Sequence, residues 1–132
     1  MIENPAELKP TLLIIDDEPL MTDLFRQTMT KRGFTVLTAA DGPEGLRLAS
    51  EENVDLVVTD MTMPKMDGLT VARQLLSDHP HTPVMIATGH EADPDSIRDL
   101  PNIVGFVQKP YQAGLLADRI REVLALNVAG SA

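Results

Sequence analysis

The chain contains no cysteine. A disulfide framework, a thiolate metal site and a thiol nucleophile are therefore excluded. No apolar run approaches the roughly 20 residues needed to cross a bilayer. The opening Met-Ile-Glu-Asn-Pro lacks the basic and then apolar stretches of a secretory signal. Clusters of Lys and Arg are also missing: 11 basic residues face 20 acidic ones, for a formal net charge of −9. A nucleic-acid binder needs a cationic surface to neutralise phosphates, so direct contact with DNA or RNA is not expected. These absences lead us to expect a cytoplasmic protein that does not enter the membrane. An acidic balance suits a solvated surface, a divalent cation or a partner with a basic face.

What is present fits one globular domain. The 132 residues leave little room for a second domain, and 43% are hydrophobic, as in an ordinary core. We expect a single domain over residues 1–132 with its core over about 11–126; the first ten residues and the closing Ala-Gly-Ser-Ala are read as tails. Five apolar runs, Thr11–Ile15, Phe34–Thr38, Val54–Thr59, Val84–Ala87 and Ile103–Val107, alternate with amphipathic stretches. Several are continuous and rich in Val and Ile, as strands covered on both faces should be.

The first amphipathic stretch carries Met21, Leu24, Phe25 and Thr28 at helical spacing, and Gly33 is placed to end it. The second opens at Asp41-Gly42-Pro43, with Pro43 tolerable at a first helical position. The third follows Gly68 with Leu69, Ala72, Leu75 and Leu76, and the last places Leu116, Ile120, Val123 and Leu124 on one face. Between the fourth and fifth runs, Pro94 and Pro101 bracket the segment, so any helix there is short. Strands alternating with helices over the whole length predict a doubly wound, parallel α/β sheet with helices on both faces.

In such a sheet, ligands bind beyond the carboxyl ends of the strands. The first run ends in Asp16-Asp17-Glu18, the third in Asp60, the fourth in Thr88, and the fifth leads into Lys109-Pro110. Each has a plain reading on its own. Asp17 or Glu18 before Pro19 suits a helix cap, Thr88-Gly89 an ordinary turn, and Lys109 a solvent-facing charge. As a set they converge on one sheet edge, where crowded carboxylates repel and a cation relieves them. Oxygen ligands without His or Cys disfavour zinc and suit Mg²⁺, which keeps waters and completes its shell with phosphate oxygens. Thr88 and Lys109 then fit as groups aimed at a phosphoryl oxygen, and one carboxylate can form an aspartyl phosphate.

The acidic pair Asp16-Asp17, Asp60 followed by Met-Thr-Met-Pro-Lys-Met-Asp-Gly, Thr88 and Lys109-Pro110 appear in an order and at intervals that resemble the receiver domain of bacterial response regulators. The likeness runs from about Thr11 to Leu126. It implies the flavodoxin-like strand order 2-1-3-4-5 in a three-layer α/β/α domain. It implies that Asp60 is the phosphoacceptor, served by a sensor histidine kinase or phosphotransfer protein. It implies that Asp17, Asp60 and the main-chain carbonyl of Thr62 bind Mg²⁺ directly, with Asp16 acting largely through water. Thr88 and Lys109 would each hold a phosphoryl oxygen, and a cis bond before Pro110 would aim Lys109. On phosphorylation Thr88 would move toward the phosphoryl group and Phe106 would turn inward, although a plain core role for Phe106 stands beside this. The resemblance describes a signalling module that acts only on its own phosphorylation state and contacts a downstream protein, as a monomer or weak dimer.

Met63 is expected beneath the loop after Asp60, and Met66 partly exposed. Thr62 and His90 stand where they could overhang the site. The short segment between Pro94 and Pro101 departs from the full helix many receivers carry there, which resembles stand-alone receivers or those attached to hybrid kinases. No effector domain is expected within this sequence. Two other classes remain in view. A haloacid-dehalogenase-like phosphatase uses similar groups, but it wants an Asp-x-Asp nucleophile motif on the first strand and usually a cap. A pseudo-receiver that only binds partners would not need the full acidic and cationic set.

Overall fold

The computed structural model describes residues 9–91 and 93–131, with side chains of the last helix described as far as Ala125. The elements run β1 (Thr11–Ile15), α1 (Pro19–Lys31), β2 (Thr35–Ala39), α2 (Gly42–Glu51), β3 (Leu56–Asp60), α3 (Gly68–Asp78), β4 (Val84–Thr88), a 3₁₀ turn (Pro94–Ile97), β5 (Ile103–Gln108) and α4 (Ala113–Ser131). The five strands are parallel in the order β2-β1-β3-β4-β5. This is the order the resemblance implies.

Side chains alternate across a strand, so each buried strand feeds two cores. Leu13, Ile15, Val57, Val84 and Ile86 point to one face and meet Val71, Ala72 and Leu75 of α3 and Ala49 of α2. Leu12, Ile14, Leu56, Val58 and Met85 point to the other, against Phe25 and Met29 of α1 and Leu116, Ala117 and Ile120 of α4. Continuous Val/Ile/Leu runs are what this two-sided burial requires, since a strand with a polar face would leave one core unfilled.

Local chemistry sets the helix ends. Asp41 accepts the Glu44 N–H at 2.9 Å to cap α2, and Asp67 accepts the Thr70 N–H at 2.8 Å to cap α3. Gly33, at φ 93°, takes the left-handed turn that releases the chain from α1 into β2. Between β4 and β5 the two prolines leave only the 3₁₀ turn. Leu100 seals the α2/α3 core there, and the buried Asn102 amide donates to the Ala72 carbonyl at 2.9 Å.

Several details differ from the sequence reading. In α1 the buried residues are Phe25 and Met29, while Leu24 is 49% exposed, because residues four apart share the sheet-facing stripe. In α3, Val71 joins Ala72 and Leu75 in the core, and Leu69 and Leu76 lie at its margin. β3 starts at Leu56 rather than Val54, where Asp55 accepts the Thr11 N–H at 2.7 Å. The closing residues read as a tail are helical through Ser131. The first eight residues, and Ala132, lie outside the described residues.

Candidate functional site

The sheet register carries the chemically active side chains to one edge. Asp60 pairs with Ala87, and Ile15 pairs with Thr59, so Asp16 lies one step past β1 beside Asp60. Thr88 pairs with Gln108, and Lys109 follows one step on. Backbone bonds extend the ladder beyond the strands: Asp16 N–H to Ala39 O (3.0 Å), Met61 N–H to Ala87 O (2.8 Å) and Lys109 N–H to Thr88 O (2.7 Å). The positions of these side chains are thus fixed by the sheet itself rather than by free loops. The Lys109–Pro110 peptide bond is cis.

Asp16, Asp17 and Asp60 each offer a carboxylate oxygen within 4.8 Å of the other two. Asp16 and Asp60 are buried, while Asp17 faces solvent. The Lys109 ammonium, only 15% exposed, lies 3.0 Å from Asp16 Oδ2 and 3.1 Å from Asp60 Oδ2, with Glu18 Oε1 at 3.4 Å. Like charges are thereby held together by one cation. Burial raises the pKa of Asp60, against the hydrogen bond and charge of Lys109, which lower it. Burial works against the charge of Lys109, but its hydrogen bonds with Asp16 and Asp60 outweigh that and raise its pKa. Lys109 therefore stays protonated throughout the range in which carboxylates titrate.

The plain readings of these residues give way in part. Glu18 occupies the cap position of α1, but no side chain caps it; instead Asp16 Oδ1 accepts the Glu18 N–H at 2.9 Å. Lys109 is not solvent-facing. Thr88 is buried, and its Oγ1 accepts the His90 N–H at 3.1 Å, which does make a local turn. That contact leaves the hydroxyl proton free to be donated elsewhere. His90 itself is exposed.

Thr62 is exposed, two residues past Asp60, and its backbone amide acts to lower the Asp60 pKa. Met63 is buried and Met66 half-buried, both against the α2/α3 core. The loop that carries them is strapped to α2 by Lys65, whose ammonium lies 3.0 Å from Asp41 Oδ2. Phe106 is half-buried against the same core and pairs with Ile86, two residues from Thr88. Thr88 and Phe106 therefore share a sheet face, opposite the one that carries Asp16, Asp60 and Lys109 in their strand alternation.

Two residues were not picked out as site members from sequence. Glu18 joins the Lys109 network. Tyr111 brings a hydroxyl that burial, then the Asp16 carboxylate, push up to about 12 in pKa. Its place directly after Lys109-Pro110 was the available signal, but an aromatic there reads first as core.

The class of fold is a parallel, doubly wound domain, with the carboxylates of Asp16, Asp17 and Asp60 gathered beside Lys109 at its carboxyl edge. Residues 12–121 match the family model described as "Response regulator receiver domain", and the chain belongs to that family. It is 35% identical over 125 residues to the transcriptional regulatory protein GlrR of Escherichia coli K12, covering 94% of this chain and 27% of GlrR. It is 36% identical over 129 residues to the sensor kinase CckA of Brucella abortus, covering 93% of this chain and 14% of that kinase. A crystal structure of a response regulator receiver domain protein from Clostridium thermocellum superposes with a TM-score of 0.81 at 31% identity, covering 91% of this chain and 98% of that one. The chain thus spans about a quarter of GlrR and less of the CckA kinase, and nearly all of the solved receiver. It is a two-component receiver with a phosphoacceptor signalling role.

Proposed function

We propose that Asp60 is the residue phosphorylated, and that residues 1–132 work as one receiver domain. The observation that carries this is the single ammonium of Lys109 shared by the buried carboxylates of Asp16 and Asp60, with Asp17 alongside. An Asp60 carboxylate oxygen attacks the phosphorus of a phosphohistidine on a sensor kinase or phosphotransfer protein. The phosphorus–nitrogen bond breaks, the imidazole leaves, and an acyl phosphate remains on Asp60. Lys109 neutralises one phosphoryl oxygen, and the free hydroxyl proton of Thr88 is donated to another. Positioning and charge neutralisation supply most of the catalysis in such transfers.

The donor set fits a hard cation: three carboxylate oxygens within 4.8 Å, and neither His nor Cys among them. Asp17, Asp60 and the Thr62 main-chain carbonyl would hold Mg²⁺, with Asp16 acting through water. When bound, the ion supplies neutralisation of the phosphoryl oxygens. Thr88 and Phe106, on the α2/α3 face, would then report occupancy to a downstream protein. In this reading the domain catalyses only its own phosphorylation and dephosphorylation, works in the cytoplasm as a monomer or weak dimer, and touches neither nucleic acid nor membrane.

The test is incubation with acetyl phosphate and Mg²⁺ followed by intact mass measurement, beside Asp60→Asn. The native chain is expected to gain one phosphoryl group, and the variant none; chelation of the metal should abolish the gain. An equal adduct on Asp60→Asn would assign the chemistry elsewhere. Repeated turnover of a phosphate ester would favour the haloacid-dehalogenase class, and no adduct with no metal binding a pseudo-receiver.

The raised pKa of Asp60 gives a pH signature. The cation needs the ionised carboxylate, whereas a proton competes for it below the pKa. Mg²⁺ affinity is therefore expected to fall as pH drops from neutral toward the raised Asp60 value. Lys109 does not change charge in this window. Calorimetric titration of Mg²⁺ at a series of pH values from neutral down into the carboxylate range checks this. A native curve no steeper than that of Asp60→Asn would contradict it.

A further inference from the structure

The ring of Tyr111 packs against the core between the sheet and helices α1 and α4. Its hydroxyl is buried and has no hydrogen-bond partner among the described residues. Phenylalanine would fill the same space without stranding a polar group, so the hydroxyl costs free energy in the resting domain. The charged groups acting on it are those of the site itself: Asp16, Lys109, Asp60 and Glu18. At neutral pH it is a protonated donor.

The resting contacts account for its isolation. Three carboxylates, from Asp16, Asp60 and Glu18, face the Lys109 ammonium, which has three N–H groups. Both oxygens of Asp16 already have donors, Glu18 N–H at 2.9 Å on Oδ1 and Lys109 at 3.0 Å on Oδ2. A phosphoryl group on Asp60 offers Lys109 a more highly charged acceptor. Asp16 then gives up the Lys109 ammonium, and beside any metal-bound water its carboxylate keeps room for a further donor, while Tyr111 holds a donor with no acceptor.

We propose that Tyr111 is a positioning residue of the phosphoacceptor site, its hydroxyl donating to the Asp16 carboxylate when the site is loaded and Lys109 turns to the phosphoryl group. The inference rests on the reading of Asp60 as phosphoacceptor given above. A group stranded at rest and bonded when loaded favours the loaded state by the hydrogen bond it gains there, which offsets its burial cost.

The experiment compares the native chain with Tyr111→Phe. Thermal unfolding is followed without metal, and binding of Mg²⁺ with beryllofluoride, a stable phosphoryl mimic, by calorimetry. Tyr111→Phe is expected to unfold at the same or a higher temperature than the native chain, yet to bind beryllofluoride at least about tenfold more weakly, the size of a hydrogen bond to a charged group. Equal affinities overturn the proposal, as does a parallel loss of affinity and melting temperature, which marks a packing role only. A native chain that does not bind beryllofluoride sinks the phosphoacceptor reading itself, a result distinct from either. A second readout needs no substitution. Tyr111 is the single tyrosine and there is no tryptophan, so tyrosine emission reports on this residue alone. Loading is expected to quench it as the phenol bonds to a carboxylate; unchanged emission overturns the assignment.

Discussion

Lys109→Ala is expected to destabilise the metal-free domain by about 3 kcal/mol near neutral pH, the usual cost of removing one partner from a buried ion pair. Asp16 and Asp60 have side chains only 2% and 9% exposed, and Lys109 lies within 3.1 Å of both. Without it two buried carboxylates face each other with no counter-charge. The loss should shrink in acid. Asp60 already has a raised pKa, so its ionised form is disfavoured by folding. That penalty is fully present above the folded pKa and disappears as pH falls through it toward the unfolded value. Removing Lys109 takes away the group that lowers this pKa, which enlarges the penalty and moves its relief to higher pH. Added Mg²⁺ should restore much of the lost stability, since a cation can take over the neutralisation. Denaturant titrations at pH 7 and pH 5, with and without Mg²⁺, decide the matter. A pH-independent loss that Mg²⁺ does not touch would mean that Lys109 contributes packing rather than charge.

Gly68→Ala is expected to cost about 3 kcal/mol, the upper part of the range for overpacking, and to slow phosphorylation by acetyl phosphate about 100-fold. A Cβ at position 68 would stand 2.5 Å from the Asp60 carbonyl oxygen and 3.0 Å from Met61 Cα. Both are backbone, so no side-chain rotation makes room. The Gly68 N–H also donates to Met61 O at 2.8 Å, which pins α3 against the residues that follow β3. Relief of the clash must shift the chain carrying Asp60 and Thr62, and about 1 Å of misplacement is enough for a rate loss of this order. Gly89→Ala is the matched control for stability, since a Cβ there meets nothing within 4 Å. If the two variants melt together, close backbone approach is not the reason glycine stands at 68.

Two-sided burial left continuous apolar runs that named all five strands to within two residues. Which core each side chain joins follows from alternation along the strands, except in β5, where a register shift beside Val84 and Met85 brings both Ile103 and Phe106 to the α2/α3 core. Prolines 94 and 101 announced a short turn because a ring at each end removes backbone donors and restricts the preceding residue. Helix faces were less legible. Met21 and Leu24 fit an apolar stripe as well as Phe25 and Met29 do, and only the position of the sheet chose between them.

The sequence by itself determined the strand–helix alternation, the kinds of side chain delivered to the carboxyl edge, and the net negative charge a cation must answer. These depend on local spacing and side-chain chemistry, which a linear chain displays. Tertiary structure decided that Lys109 bridges Asp16 and Asp60, 93 and 49 residues away along the chain, that Asp16 rather than Asp17 is the buried member of the pair, and that the Tyr111 hydroxyl is stranded. Distances between such distant positions are set by sheet register and by which oxygens the neighbouring donors have already taken, and neither is written in any local stretch of sequence.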